Sequence, residues 1–169
     1  MRAVRLSESA WREIRAHGES TYPDECCGFL VSPGTDYTDS GPRQVPRVVR
    51  AANEFEGERR RRFEIRPQEL MAAESQIVST GELLTGFYHS HPDHPARPSQ
   101  FDTDHAWPWY SYLVLRVDQG QAGEVGAFEL QEEGGAFVSV PMEILSGRAK
   151  SGATNGGVSE SLSASSRVK

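Results

Sequence analysis

The residues whose types and spacing best suit chemistry lie between positions 89 and 102, in the string HSHPDHPARPSQFD. His89 and His91 flank one residue, Ser99 follows His91 after seven intervening residues, and Asp102 follows Ser99 after two more. Just ahead stands the apolar run Leu83, Leu84, Thr85, Gly86, Phe87, Tyr88, whose length and β-branched or aromatic content predict a buried strand. Strand side chains two apart leave the same face with Cα atoms roughly 6.5 Å apart, a span two imidazoles can close onto one ion. Zinc takes imidazole nitrogens and carboxylate oxygens at about 2.0–2.2 Å, and a catalytic zinc keeps one of its four positions for water. His89, His91 and Asp102 are therefore candidate zinc ligands.

The complete pattern, His-x-His, seven residues, Ser, two residues and Asp, resembles the JAMM motif of MPN-type (JAB-domain) metalloproteases, with every motif position filled. Members of that family carry a glutamate at the head of an early strand, three residues before a small one. Glu25, followed by Gly28, matches that position, whereas Glu19 and Asp24 do not. The resemblance spans roughly 2–142 and is strongest to the compact, single-domain prokaryotic form, with Glu-Cys-Cys-Gly-Phe-Leu similar to its opening strand. It implies an α+β fold, a mixed β-sheet flanked by helices with cytidine-deaminase-like architecture. It also implies a zinc metallopeptidase or isopeptidase in which Glu25 relays the proton and Ser99 donates to the oxyanion. The implied substrate is the Gly-Gly tail of a ubiquitin-like or sulfur-carrier protein. Some MPN-type proteins keep the fold as inactive protein-binding modules. Those usually lack ligands that are all present here.

Residue chemistry alone offers competing roles. Ser99 followed by Asp102 also fits a helix start, with a hydroxyl capping backbone N–H groups and an acid in the first turn, and both roles can coexist. An acid beside a strand, as at Glu25, is commonly a solvated turn residue. Asp93, His94, Asp104 and His105 are ligands by type only, since the first two fall in a Pro-punctuated loop without strand register. A deaminase would need a Cys-x-x-Cys pair, and the only cysteines, Cys26 and Cys27, are adjacent. They read as small apolar strand residues facing opposite ways. The helical H-E-x-x-H string of other zinc proteases is missing.

The 169 residues carry a net charge of −6 and a pI near 5.4, which disfavours a nucleic acid as partner because phosphates call for a cationic surface. No apolar run of about 18 residues and no leader-like N-terminus occur, so the expectation is a soluble, cytoplasmic protein with no membrane partner. One domain is expected over 1–145, with a disordered Ser/Gly-rich tail over 146–169. The oligomeric state stays open, a homodimer included.

To position the site, the sequence predicts a helix over 7–17 closed by Gly18, a strand over 26–31, and a polar loop over 34–44. A strand over 45–52 follows, limited by Pro46, then a short strand over 63–65. Between these two strands, Arg59, Arg60, Arg61 and Arg62 form a basic run, either a charge-protected hairpin edge or a contact for an acidic protein substrate. Pro67 opens a helix to residue 79, and Ser99 opens a short one to 106. Strands over 112–117, 126–131 and 136–140 complete the order. The aromatics at 107, 109 and 110 read as packing more than as a binding platform.

Overall fold

The computed structural model describes residues 1–37 and 41–147. The described elements are β1 (Val4–Ser7), α1 (Glu8–Thr21), β2 (Cys27–Pro33), β3 (Arg43–Val45), β4 (Arg47–Ala51), α2 (Pro67–Ser79) and β5 (Glu82–Pro92), then α3 (Gln100–Asp104), β6 (Ser111–Asp118), β7 (Gln121–Leu130), β8 (Phe137–Val140) and β9 (Met142–Leu145). Six strands form a mixed sheet in the order β4-β2-β5-β6-β7-β8, and β3-β1-β9 form a small parallel sheet. Only β5 and β6 run parallel within the larger sheet. The architecture is α+β, as expected.

Strand alternation divides the core in two. On one face Leu30, Tyr88, Leu113 and Leu115 pack with Ile14 of α1 and with Val4, Leu6 and Val45 of the small sheet. On the other, Cys27, Phe29, Val31 and Leu84 meet Ile77 of α2 and the side chains of Phe63 and Ile65. Each fully buried Leu, Ile or Phe contributes roughly 1.5–3 kcal/mol by leaving water, so both faces are anchored. Cys26 and Cys27 do fall on opposite faces, as separate core residues, and burial pushes the Cys26 thiol up to about 11.

Several elements depart from their predicted form. Helix α1 continues through Gly18 to Thr21; this glycine is a close-approach residue, because a Cβ there would press on Leu115 and Val117. Residues 63–65 are not a strand. They run extended beneath α2 and give their apolar side chains to the core without a ladder. Pro46 divides the predicted 45–52 strand between two sheets, β3 joining the small one and β4 the large. Strands β1, β3 and β9, of three or four residues each, escape sequence reading because so short an alternation has no statistical weight. Strand β7 begins at Gln121, ahead of the predicted start at 126. Ser146 and Gly147 have no regular structure, and the rest of the predicted tail lies outside the described residues. No described helix is long and apolar enough to cross a membrane.

Candidate metal centre

Strand β5 extends past the predicted run, through both histidines, to Pro92. His89 and His91 consequently share a face and are buried. Their Nε2 atoms lie 3.1 Å apart, and each is 3.3 Å from Oδ2 of Asp102. An ion bonding tetrahedrally at about 2.0–2.1 Å sets its ligand atoms roughly 3.3–3.4 Å apart. The observed triangle fits that shape. His91 Nδ1 donates to the Pro95 carbonyl at 2.9 Å; a carbonyl only accepts, so this ring carries its proton on Nδ1 and presents a lone pair at Nε2. The His89 ring stacks on Phe63 with centroids 4.6 Å apart, which fixes its plane. These three residues form a group that could hold a metal ion.

Asp102 is aimed by α3. Ser99 caps that helix, accepting from Asp102 N at 3.1 Å, and Asp102 Oδ2 accepts from Ser99 N at 2.6 Å in return. The Ser99 hydroxyl also donates to Oδ2 at 2.8 Å. The helix-start role of Ser99 is thus present, and the cap preorganises the carboxylate.

Glu25 reaches the centre by register. Cys27 pairs with His89 in the antiparallel β2–β5 ladder, so residue 25, two before, lies opposite His91 and on the same face. Its Oε1 is 4.0 Å from His91 Nε2, and its side chain is only 4% exposed. Residues 53–66 arch over it. Glu25 N donates to Arg59 O at 2.8 Å, and Asn53 Nδ2 donates to Glu25 O at 3.1 Å and Arg62 O at 3.0 Å. The basic run therefore belongs to an arch beside the centre, not to a hairpin edge. Arg62 lies against the rings of Phe55 and Phe101, tying the arch to α3.

Against this geometry the comparisons with known proteins can be set. Residues 7–131 match the Prok-JAB family, prokaryotic homologs of the JAB domain. The chain belongs to that family. A desampylase of Haloferax volcanii is 36% identical over 97 residues, 57% of this chain and 65% of that relative. The matched stretch thus falls just short of two thirds of the curated relative's length. Two solution structures share the fold. A Desulfitobacterium hafniense protein superposes with a TM-score of 0.70 at 25% identity, covering 84% of this chain and 92% of its own. A Salinibacter ruber protein gives 0.63 at 32% identity, with coverages of 88% and 94%.

The electrostatics of this Prok-JAB centre are those of a buried carboxylate facing two imidazoles. Burial alone would raise the Asp102 carboxyl, but the facing His89 and the hydrogen bond from Ser99 N reverse it and hold it well below the carboxylate range. Burial likewise disfavours a charged His91, yet Asp102 and the Pro95 carbonyl raise it above its ordinary value. Burial pushes Glu25 up to about 8, with Asp102 adding to the rise and His91 opposing it. A carboxyl poised to exchange a proton near neutral pH is what acid–base work requires.

The remaining ligand types stay outside the triangle. Asp93 accepts from Tyr22 Oη and Gln119 N, Asp104 from Gln100, and His105 lies on the ring of Phe101. His94 lines a cavity of about 350 Å³ together with Glu25, Arg61, His91, Arg97 and Ser99. A larger hollow of about 780 Å³ at Tyr22, Asp93 and Arg116 lies apart from the centre, its charges already paired. Of the aromatics, Trp109 covers the buried guanidinium of Arg43 and Tyr110 packs on Phe87, consistent with packing. Sequence reading missed Asn53, Phe63 and Pro95. Only Asn53 carried a local signal, an Asx turn in which its Oδ1 accepts from Phe55 N.

Proposed function

We propose that this Prok-JAB protein is a zinc-dependent peptidase or isopeptidase that hydrolyses the amide bond after the Gly-Gly tail of a ubiquitin-like or sulfur-carrier protein. The observation that carries the reading is the convergence of His89, His91 and Asp102 on one point, with the buried Glu25 4.0 Å from His91 Nε2 and a cavity lined by both Glu25 and His91. The relative named a desampylase supports a small protein modifier as substrate.

His89 and His91 through Nε2, and Asp102 through Oδ2, would hold the ion. When bound, zinc supplies Lewis acidity and a water whose pKa falls toward about 7. Glu25 then takes the proton of the water that attacks the scissile carbonyl carbon. It returns that proton to the departing amine nitrogen as the C–N bond breaks, leaving a carboxylate on the carrier tail. Its burial suits both halves of the relay. The Ser99 hydroxyl, turned from Asp102 toward the substrate, donates to the oxyanion; Asp102 keeps the Ser99 N–H in its place. Such a donor is worth about 3–4 kcal/mol of barrier.

The test pairs metal analysis with turnover. Purified protein should hold one zinc per chain and shorten carriers extended beyond Gly-Gly, as read by mass spectrometry, and a chelator should stop it. Glu25→Gln should retain zinc and lose turnover. Zinc-free active protein, or cleavage indifferent to chelation, would overturn the proposal. Zinc bound with no turnover on any tailed carrier would make the chain a binding module instead.

A further inference from the structure

The described arginines differ in their partners. Arg2, Arg5, Arg12, Arg47 and Arg50 each pair with a carboxylate. Arg61 and Arg97 have no side-chain hydrogen bond or ion pair among the described residues, and both line the cavity that holds Glu25, His91 and Ser99. An acidic chain of net charge −6 therefore leaves two guanidiniums without an anion beside its reacting groups, with His94 next to them. Glu25 is the only carboxylate on that lining, and its side chain is only 4% exposed. Guanidinium forks match carboxylates, by paired and charge-assisted hydrogen bonds. The cavity, about 350 Å³, sits at the small end of the roughly 300–1,000 Å³ range of small-ligand sites. It suits one or two residues, not a folded conjugate.

Resting on the function proposed above, we infer that Arg61 and Arg97 bind the free α-carboxylate of a short leaving segment. The protein then acts on carrier tails ending one or two residues after Gly-Gly, in preference to Gly-Gly joined to a lysine side chain of a second protein. A carboxylate there holds the leaving residue so that its amide nitrogen faces Glu25. Both the α-carboxylate and an acidic side chain offer the same chemistry, and the substrates below tell the two apart.

Three substrates decide it, a carrier ending in Gly-Gly-Ala acid, Gly-Gly-Ala amide and Gly-Gly-Glu amide, each with zinc-loaded full-length protein. The acid should exceed the alanine amide in kcat/KM by about tenfold or more, as charged hydrogen bonds commonly provide, and the glutamate amide should stay with the alanine amide. In Arg61→Ala/Arg97→Ala the acid-to-amide ratio should fall to about one, a ratio independent of how much variant is folded. Chelator-treated wild-type protein should bind a Gly-Gly-Ala peptide acid more tightly than its amide by calorimetry, and the double variant should bind both alike. Equal cleavage of acid and amide by wild type would remove this assignment and leave the hydrolase reading standing. A glutamate amide matching the acid would replace the α-carboxylate by a side-chain one. Cleavage of no substrate would overturn the hydrolase reading itself, and this inference with it.

Discussion

Strand β5 presents buried histidine chemistry on both faces, and the two faces behave differently. Toward α1, Tyr88 Oη and His17 Nδ1 lie 2.7 Å apart; burial, helped by Arg50, pulls His17 down to about 4, so the ring is neutral at ordinary pH. Toward the arch, His89 and His91 converge on Asp102, and His91 is raised. Burial is common to both. What separates them is convergence: His17 has one neutral partner, whereas two lone-pair nitrogens and a carboxylate oxygen aim at a single point. A period of two along one strand is enough to keep a packing histidine and a ligand pair apart.

The widest test of that contrast removes ligands from each face. His89→Ala or Asp102→Asn should abolish stoichiometric zinc by elemental analysis and take activity below detection, while His17→Gln should keep one zinc and its turnover. Zinc retained in both triad variants would erase the distinction. Glu25→Gln should come next, lowering kcat by about 10²–10⁴-fold, the usual worth of a positioned acid–base group. The same variant has a second signature in chelator-treated protein. Glu25 is raised from 4.5 to about 8 on folding, so between those values the folded state binds more protons and stability falls as pH rises. Removing the titration should stabilise the chelated protein at pH 7 by on the order of 2–3 kcal/mol, read from urea midpoints, with the gain vanishing below about pH 4.5. A destabilised variant would deny that burial governs this carboxyl.

On the other face the sign reverses. His17 is lowered from 6.5 to about 4, so in that window the unfolded chain binds the extra proton and stability falls as pH falls. The loss should reach on the order of 2 kcal/mol by pH 4, and His17→Gln, which can still bond to Tyr88, should flatten that part of the profile. An unchanged slope would mean the ring is protonated in place.

How much of this was legible depended on whether the signal was local. The candidate triangle was, because His89 and His91 are fixed by strand period and Asp102 by a cap three residues from Ser99, both written in short spacings. The helix at Pro67–Ser79 was legible for the same reason, its proline start and apolar stripe lying in one window. The position of Glu25 depends on the β2–β5 register, a long-range pairing that spacing does not encode, so only the family resemblance singled it out. Residues 63–65 of the arch were predicted as a strand because Phe63 and Ile65 do alternate inward, yet no neighbouring strand among the described residues offers them a ladder. Arg61 and Arg97 are distant in sequence, and only folding brings them to one cavity.

The smallest expected effect concerns that arch. Asn53 donates to Glu25 O and Arg62 O and accepts from Phe55 N and Glu64 N, so one amide ties the backbone of the base to the loop above it. Asn53→Ala should cost about 1–2 kcal/mol of stability through the unmade bonds and lower kcat about tenfold, since misplacing a reacting group by 1 Å can cost up to about 10²-fold. Asn53→Asp preserves the acceptor that shapes the arch and removes the donor to Glu25, so it should recover stability more than rate. If Asn53 acts through the position of Glu25, then Asn53→Ala added to Glu25→Gln should lower kcat no further, a non-additivity that a merely structural residue would not show. Additive losses would detach the arch from the chemistry and leave Glu25 held by its strand alone.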